Sequence, residues 1–424
     1  MESTVRAPKV RIGSREIELI PFWLGLLVLG LIFGGIGAYQ VLRYGLDVTG
    51  LTNQVPWGLW ITIDLTSIAL GGSAFVFGVI VYLLRIKRFE TVGRVAVLLG
   101  FLGYSTAGLV LFFDIGRPLH FWHPMIFWQP HSLLWEITMC VALYLTVLMA
   151  EVVPVILEHP IFSEHSIIDR FPILRLLADS LEKLAHTLHK MGPFLAVLGL
   201  TLSLLHQASL GATYGVLAGR GMAFSPTAPI LFVFSAMGGG TALLFLVSVI
   251  IFRVLRPGMV KDDVFYDIAR IAGGIVLLCT YIRVWDWAVV NYYSFNQDIA
   301  MQRDLLNQIA PYTVKFWAGQ VFLAIISGAI LLSAKRIRNF KVLMLAAVGP
   351  ILCVFMLRWT YNFAGLIASI SYDPFTPTVQ LNSYIPTWQE WAVGIGVISY
   401  WLFGFSLAAR FLPFKAKKSG HEGQ

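Results

Sequence analysis

PFWLGLLVLGLIFGGIGAYQVLR, residues 21–43, decides the fold. It carries no charge until Arg43. Some 20 apolar residues, rising ~1.5 Å each as a helix, cross the ~30 Å of hydrocarbon in a bilayer. Comparable runs follow at 57–84, 92–115, 131–157, 192–219, 228–252, 267–290, 311–334, 341–366 and 391–412. Lipid offers no partner to a backbone N–H or C=O, so each run must be helical. Composition agrees: 57% of residues are hydrophobic and 13% charged, against roughly 25% charged in soluble domains. The chain reads as an all-α polytopic membrane protein, one integral domain over 1–424 with ten transmembrane helices.

The net charge of +8 is a topology signal rather than a nucleic-acid one. Of 31 Lys and Arg, 24 lie before span one, at the turns after spans two, four, six and eight, or after span ten. The opposite side holds Arg43, Arg117, Arg220, Arg303 and Lys315. The expectation is a bacterial cytoplasmic membrane protein with both termini cytoplasmic. No small-residue cleavage site follows the first span, so it reads as a span and not a signal peptide. Cys140, Cys279 and Cys353 sit apart within spans, with no metal-ligand spacing and no evident disulfide.

On the cytoplasmic side, 163–190 alternates Ile167, Phe171, Leu174, Leu177, Leu181, Leu184 and Leu188 with charged residues, the pattern of an amphipathic helix on the membrane surface. The outer loops 44–56, 116–130, 291–310 and 367–390 are rich in Trp, Tyr, Pro, Asn and Gln. They suit a docking surface, or equally an ordinary interfacial aromatic belt.

An internal repeat divides the chain. SIALGGSA (67–74) returns as SAMGGGTA (235–242), a displacement of 168 residues that also aligns Arg85 with Arg253. Four crossings restore orientation, so the repeat is parallel. It predicts four-helix bundles over 57–219 and 228–366, with 21–43 and 391–412 as flanking helices.

Within the spans, ionisable residues are few and gather toward the outer side: Asp64, Asp114, Glu136, Arg283, Asp286 and Arg358. A charge at the centre of a membrane helix costs ~2.5–3.5 kcal/mol on insertion scales. The pattern predicts a polar chamber in which arginines and carboxylates pair, accompanied by Trp60 and other outer tryptophans. Ion pairs that only hold helices together are the plainer alternative. Glu151 near the inner side, His206 at mid-depth and Tyr104 in span three form a sparse relay toward Glu136 or Asp64. Its plainer reading is a snorkelling carboxylate and a core histidine. A haem held by two facing histidines is disfavoured, because of the nine histidines only His206 lies at mid-membrane. No iron–sulfur, flavin, nucleotide or metal motif is present.

LTNQVPWGLWI (51–61), GGSAF (71–75) and DIGRP (114–118) followed by FWHP (121–124) resemble the NrfD-like, polysulfide-reductase membrane-subunit family in its ten-span branch. That branch includes membrane subunits of periplasmic hydrogenases, of the quinone reductase complex of sulfate reducers and of alternative complex III. The resemblance implies two four-helix bundles, no haem or cluster in this chain, and a (mena)quinone site near the outer face. It also implies periplasmic partners: a ferredoxin-like iron–sulfur subunit, with multihaem cytochrome c or molybdopterin-type subunits. The expected function is the quinone-binding subunit of a respiratory oxidoreductase complex, inactive alone, with charge or proton translocation open.

Quinone chemistry needs proton exchange at the carbonyl oxygens, for which Asp64, Asp114 and Glu136 are the expected catalytic groups. Trp60, Tyr104, Arg117, His120, Arg283, Asp286 and Arg358 are the expected quinone-binding residues. Arg117 and His120 read equally as caps of the motif loop. The second repeat has only RVWDW (283–287) where DIGRP would fall, which argues against two equivalent sites. A secondary transporter or a passive anchor is the alternative, though transporter sites lie at the midplane between broken helices.

Overall fold

In a computed structural model of the chain, the described residues are 9–12, 15–157, 180, 183–188, 190–216, 221, 223–293, 297–309, 311–373 and 376–414. Among them, ten helices are long and apolar enough to cross a membrane: Leu19–Val48, Leu59–Leu83, Lys87–Asp114, Leu133–Leu157, Gly192–Gly215, Ala228–Leu255, Asp262–Tyr292, Tyr312–Leu332, Phe340–Ile367 and Trp388–Phe411. They are spans one to ten. The protein is an all-α polytopic membrane protein. Most of the surface helix read over 163–190 lies outside the described residues; 183–188 are helical.

Spans two, three, four and five pack as a ring in which each touches the next and span five returns to span two. Spans six to nine make a second ring in the same way. The rings meet where spans two and six, two and nine, and five and six touch. Small residues permit that approach: a Cβ on Gly72 would lie 2.5 Å from the Ala236 carbonyl oxygen, and one on Gly240 would lie 2.6 Å from the Ser73 nitrogen.

Spans one and ten pack on each other and together against span three. Gly30, Gly34 and Gly37 face Ser399, Gly396 and Ala392; a Cβ on Gly396 would lie 2.6 Å from the Gly34 Cα.

One end of the bundle is loop-rich. There the turn after span three places Gly116 at φ +70°, a left-handed conformation that favours glycine. Beyond span nine, the strands Ala368–Asp373 and Thr376–Leu381 form an antiparallel hairpin with Ala368 opposite Leu381. The outer helix Gln297–Ile309 seals it, with Gln302 Nε2 donating to the Ala368 carbonyl at 2.6 Å.

The opposite end is the basic one. Asp267, nearly buried at the start of span seven, meets Arg88 at 2.8 Å, Lys335 at 2.7 Å and Arg270 at 3.9 Å. One carboxylate thus ties the turn after span two to the turn after span eight. The buried apolar core around Phe77, Phe245 and Phe265 lies just above it.

Candidate functional site

Span two enters the bundle from the loop-rich end and buries Asp64 to 4% exposure. Asp64 Oδ1 has no hydrogen-bond partner. Asp114 closes the span-three helix just before the Gly116 turn, and its Oδ1 is also buried and unpartnered. The two carboxyls are close enough to repel each other. Asp114 lies within similar range of a third carboxyl, Glu390 at the start of span ten.

Glu390 differs from the other two in being fully occupied. It accepts from Tyr384 Oη at 2.5 Å, Gly50 N at 2.8 Å and Thr387 N at 2.9 Å. The Tyr384 hydroxyl in turn accepts from Leu59 N at 2.7 Å, which anchors the first residue of span two. Burial first, then the bond to Glu390, pushes the Tyr384 hydroxyl far above the ordinary phenol range, so it stays a donor. Glu390 and Tyr384 therefore hold the start of span two to the start of span ten, while Asp64 and Asp114 each keep an oxygen unpartnered.

Behind this pair lies a buried polar seam. Tyr104 stands edge-on to Tyr144 at 4.6 Å between centroids and tilted against His206 at 5.5 Å. The Tyr104 hydroxyl, Ser203 Oγ, both His206 ring nitrogens and Gln207 Nε2 make no hydrogen bond of ordinary geometry, although Ser203 and Gln207 lie near the Tyr104 hydroxyl and the Ile137 backbone near His206. A buried polar atom left unpaired costs about 1–3 kcal/mol. Such atoms gathered in one place are what an internal water or a ligand's polar atoms satisfy. Tyr144 lies within electrostatic range of both Tyr104 and Glu151. Glu151 lines a cavity toward the basic end with Tyr82, Arg94 and Gly192.

The remaining expected residues are placed as follows. Glu136 is half-buried and accepts from Ser209 Oγ at 2.7 Å, across to span five. Trp60 is buried against Val110, Val393 and Val397, with Nε1 donating to the Glu390 carbonyl at 2.9 Å. It faces span ten rather than the seam. Arg117 and His120 are exposed on the short turn beyond span three, His120 edge-on to His123 at 4.5 Å.

The two buried arginines have different surroundings. Arg283 meets Asp286 at 2.7 Å, as pairing of arginine with carboxylate predicts. Asp286 also accepts from Ser225 and Thr227. Arg358, fully buried, has instead a π face and a carbonyl: its guanidinium lies 3.5 Å from the Phe232 ring centroid, and Nη2 donates to the Phe232 carbonyl at 3.0 Å and to Gln207 Oε1 at 3.4 Å. An aromatic row, Trp57, Tyr214, Phe232 and Tyr361, runs from one ring of spans to the other. Of the six ionisable residues read as one chamber, Asp64, Asp114 and Glu136 thus lie in the first ring, Arg283 and Asp286 pair in the second, and Arg358 of span nine reaches across to Gln207 of span five. Shared depth along the membrane normal does not bring residues together laterally.

Glu390, Tyr384 and Tyr144 did not emerge from sequence reading. Glu390 stands in TWQE (387–390), a Thr-x-x-Glu capping box, one residue before the tenth apolar run begins. Tyr144 lies eight residues after Glu136 and seven before Glu151 on the same helix face, a spacing that signals it. Among the described residues, no group of three or more His, Cys, Asp or Glu is placed to hold a metal ion.

The sequence model of the family described as polysulphide reductase, NrfD, matches residues 47–369. The chain is 32% identical to the integral membrane subunit of menaquinone reductase from Nitratidesulfovibrio vulgaris, over 95% of this chain and 94% of that relative. It is 24% identical to a selenate reductase subunit from Mesobacillus selenatarsenatis, over 92% and 94% of the two chains. It is 26% identical to the probable Ni/Fe-hydrogenase 2 b-type cytochrome subunit from Escherichia coli, over 88% and 87%.

Proposed function

The chain belongs to the NrfD polysulphide reductase family, and from that premise we propose that it is the quinone-exchanging membrane subunit of a multi-subunit oxidoreductase. The observation that carries the reading is the Asp64–Asp114 pair, buried at the loop-rich end with an open oxygen on each. The quinone supplies a carrier of two electrons and two protons. Asp64 and Asp114 hold and release protons at its ring. Glu136, beside Ser209, is a second proton exchanger at the same end. Tyr104 orients one edge of the ring from the seam, and the valine-rich surroundings of Trp60 keep bulk water from span ten.

Electrons reach the site from a redox subunit docked on the loop-rich face, for which the hairpin 368–381, the helix 297–309 and the exposed Arg117–His120 turn supply the surface. The assembly is inactive without that partner. We further assign the loop-rich face to the periplasm, the basic face and both termini to the cytoplasm, and menaquinone as the substrate. The two rings are the two units of the parallel repeat. The seam Tyr104–Tyr144–Glu151, with His206 beside it, carries protons from the basic face, so that turnover charges the membrane.

The test uses the purified complex with its native partners. Asp114→Asn leaves the complex assembled and lowers quinone turnover. Full turnover in both Asp64→Asn and Asp114→Asn complexes removes the pair from the mechanism.

A further inference from the structure

Two adjoining cavities in the second ring share one wall, the Arg283 side chain. The upper cavity opens toward the loop-rich end and is lined by Ser225, Asp286, Trp287, Arg303, Tyr312 and Phe316. The lower one runs into the membrane between Gly238, Gly239, Val276, Ala324, Pro350 and Val354. Open mouths included they span about 590 and about 430 Å3, of which the centre of a water-sized sphere can reach about 50 and about 40 Å3. The shape is that of an amphiphile, with a polar room above an apolar corridor.

The polar room selects its guest. The Arg283 charge is balanced by Asp286 at 2.7 Å, and its Nη1 also donates to Tyr361 Oη at 3.1 Å. The Arg283 Nε remains buried and unpartnered. An N–H is therefore on offer beside a carboxylate that repels anions, and it matches a neutral acceptor such as a ring carbonyl rather than a phosphate. Flat walls stand on either side: Trp287 is stacked on Phe316 at 6.4 Å, and Phe316 lies 5.0 Å from the Arg283 guanidinium. The corridor is mostly apolar; the Ser235 and Thr280 hydroxyls on its wall bond to carbonyls of their own helices, and Gln320 has an unpartnered Oε1 while its Nε2 donates to Thr360 Oγ1 at 2.9 Å. Its width depends on small residues: a Cβ on Gly239 would collide with the Val354 side chain. A π-helical stretch, Lys315–Phe322, carries both Phe316 and Gln320, the kind of local widening that recurs at functional sites.

We propose that the second ring holds its own isoprenoid quinone, its ring carbonyl hydrogen-bonded to Arg283 and its chain lying along Gly239, Ala324 and Val354. This site is distinct from the Asp64–Asp114 group and concerns occupancy, not turnover. It does not repeat the first site, since the second ring has an arginine–aspartate pair where the first has two carboxylates.

The test is to fill the corridor without touching a polar group. The assembled complex carrying Ala324→Phe is purified, extracted with solvent and compared with wild type for quinone and phospholipid per chain. The expected result is loss of about half the bound quinone, one ligand occupying each pocket, with phospholipid unchanged. An azidoquinone photoprobe should label spans seven and eight in wild type and lose that labelling in Ala324→Phe, while labelling of spans two to four persists. Unchanged quinone content, phospholipid lost in its place, or photolabel confined to spans two to four in wild type would each overturn the proposal. Loss of the span-two-to-four label with the span-seven label retained would count against the first-ring reading alone.

Discussion

A Cβ built on Gly240 would lie 3.0 Å from both the backbone nitrogen and the carbonyl carbon of Gly72. These two glycines are equivalent under the 168-residue displacement of the repeat, and they press against each other where the rings of spans meet. The obstruction is backbone, which cannot rotate away. Gly72→Val or Gly240→Val should therefore push the rings apart, at about 1–3 kcal/mol for overpacking a tight contact. The check is the thermal midpoint and yield of the purified complex; Gly78→Ala, where a Cβ meets nothing within 4 Å, is the control.

The spans and the repeat were legible because both are periodic properties of one dimension, and hydropathy and glycine spacing survive without any knowledge of packing. Lateral position does not. Asp64 and Arg283 both lie within a few turns of the loop-rich ends of their spans, yet one faces the seam of the first ring and the other the cavity of the second. Glu390 escapes a hydropathy reading because the tenth apolar run begins at 391, one residue past it. The hairpin 368–381 escapes because Pro374 and Pro377 interrupt any strand pattern.

Removing a proton carrier at the carboxylate pair should act on rate rather than assembly. Asp64→Asn and Asp114→Asn are each expected to slow quinone turnover by ~10²-fold or more, the usual scale of general acid–base catalysis. Steady-state kinetics on fully assembled complexes measure it. A rise in KM alone would point to binding.

Glu390 should behave in the opposite way. Glu390→Ala removes the acceptor for Gly50, Thr387 and Tyr384 together, bonds to a charged group that contribute about 1.5–3 kcal/mol each. The expected outcome is poor accumulation and a lowered thermal midpoint. Tyr384→Phe, which keeps the ring but frees Leu59 N, should be milder. Equal stability of both variants and wild type would mean that the start of span two is not held this way.

The seam makes a separable prediction. In vesicles containing the complex, Glu151→Gln and Tyr144→Phe are expected to abolish the membrane potential generated by turnover while quinone chemistry continues with protons taken from outside. A potential-sensitive dye and an outer pH indicator, read together, decide it. If wild-type turnover creates no potential, the seam is a structural hydrogen-bonding region.

Orientation can be tested independently. Single cysteines placed at Leu119 or Leu381, both exposed at the loop-rich end, should react with a membrane-impermeant thiol reagent in intact cells. One placed at the exposed Val254 should react only after lysis. The reverse pattern would put the carboxylate pair on the cytoplasmic side.

The glycine seam between spans one and ten also has a consequence for biogenesis. Gly30, Gly34 and Gly37 present a face whose partner, Ala392, Gly396 and Ser399, is made about 360 residues later. At ~5–20 residues per second of translation, span one waits in the bilayer for tens of seconds with its small-residue stripe uncovered. During that interval the stripe is open to any other helix with small residues, including a second nascent copy. The pairing of these two spans is therefore open to mispairing while the chain is being made, and an insertase or lipid that shields span one would raise yield without contributing to the finished structure.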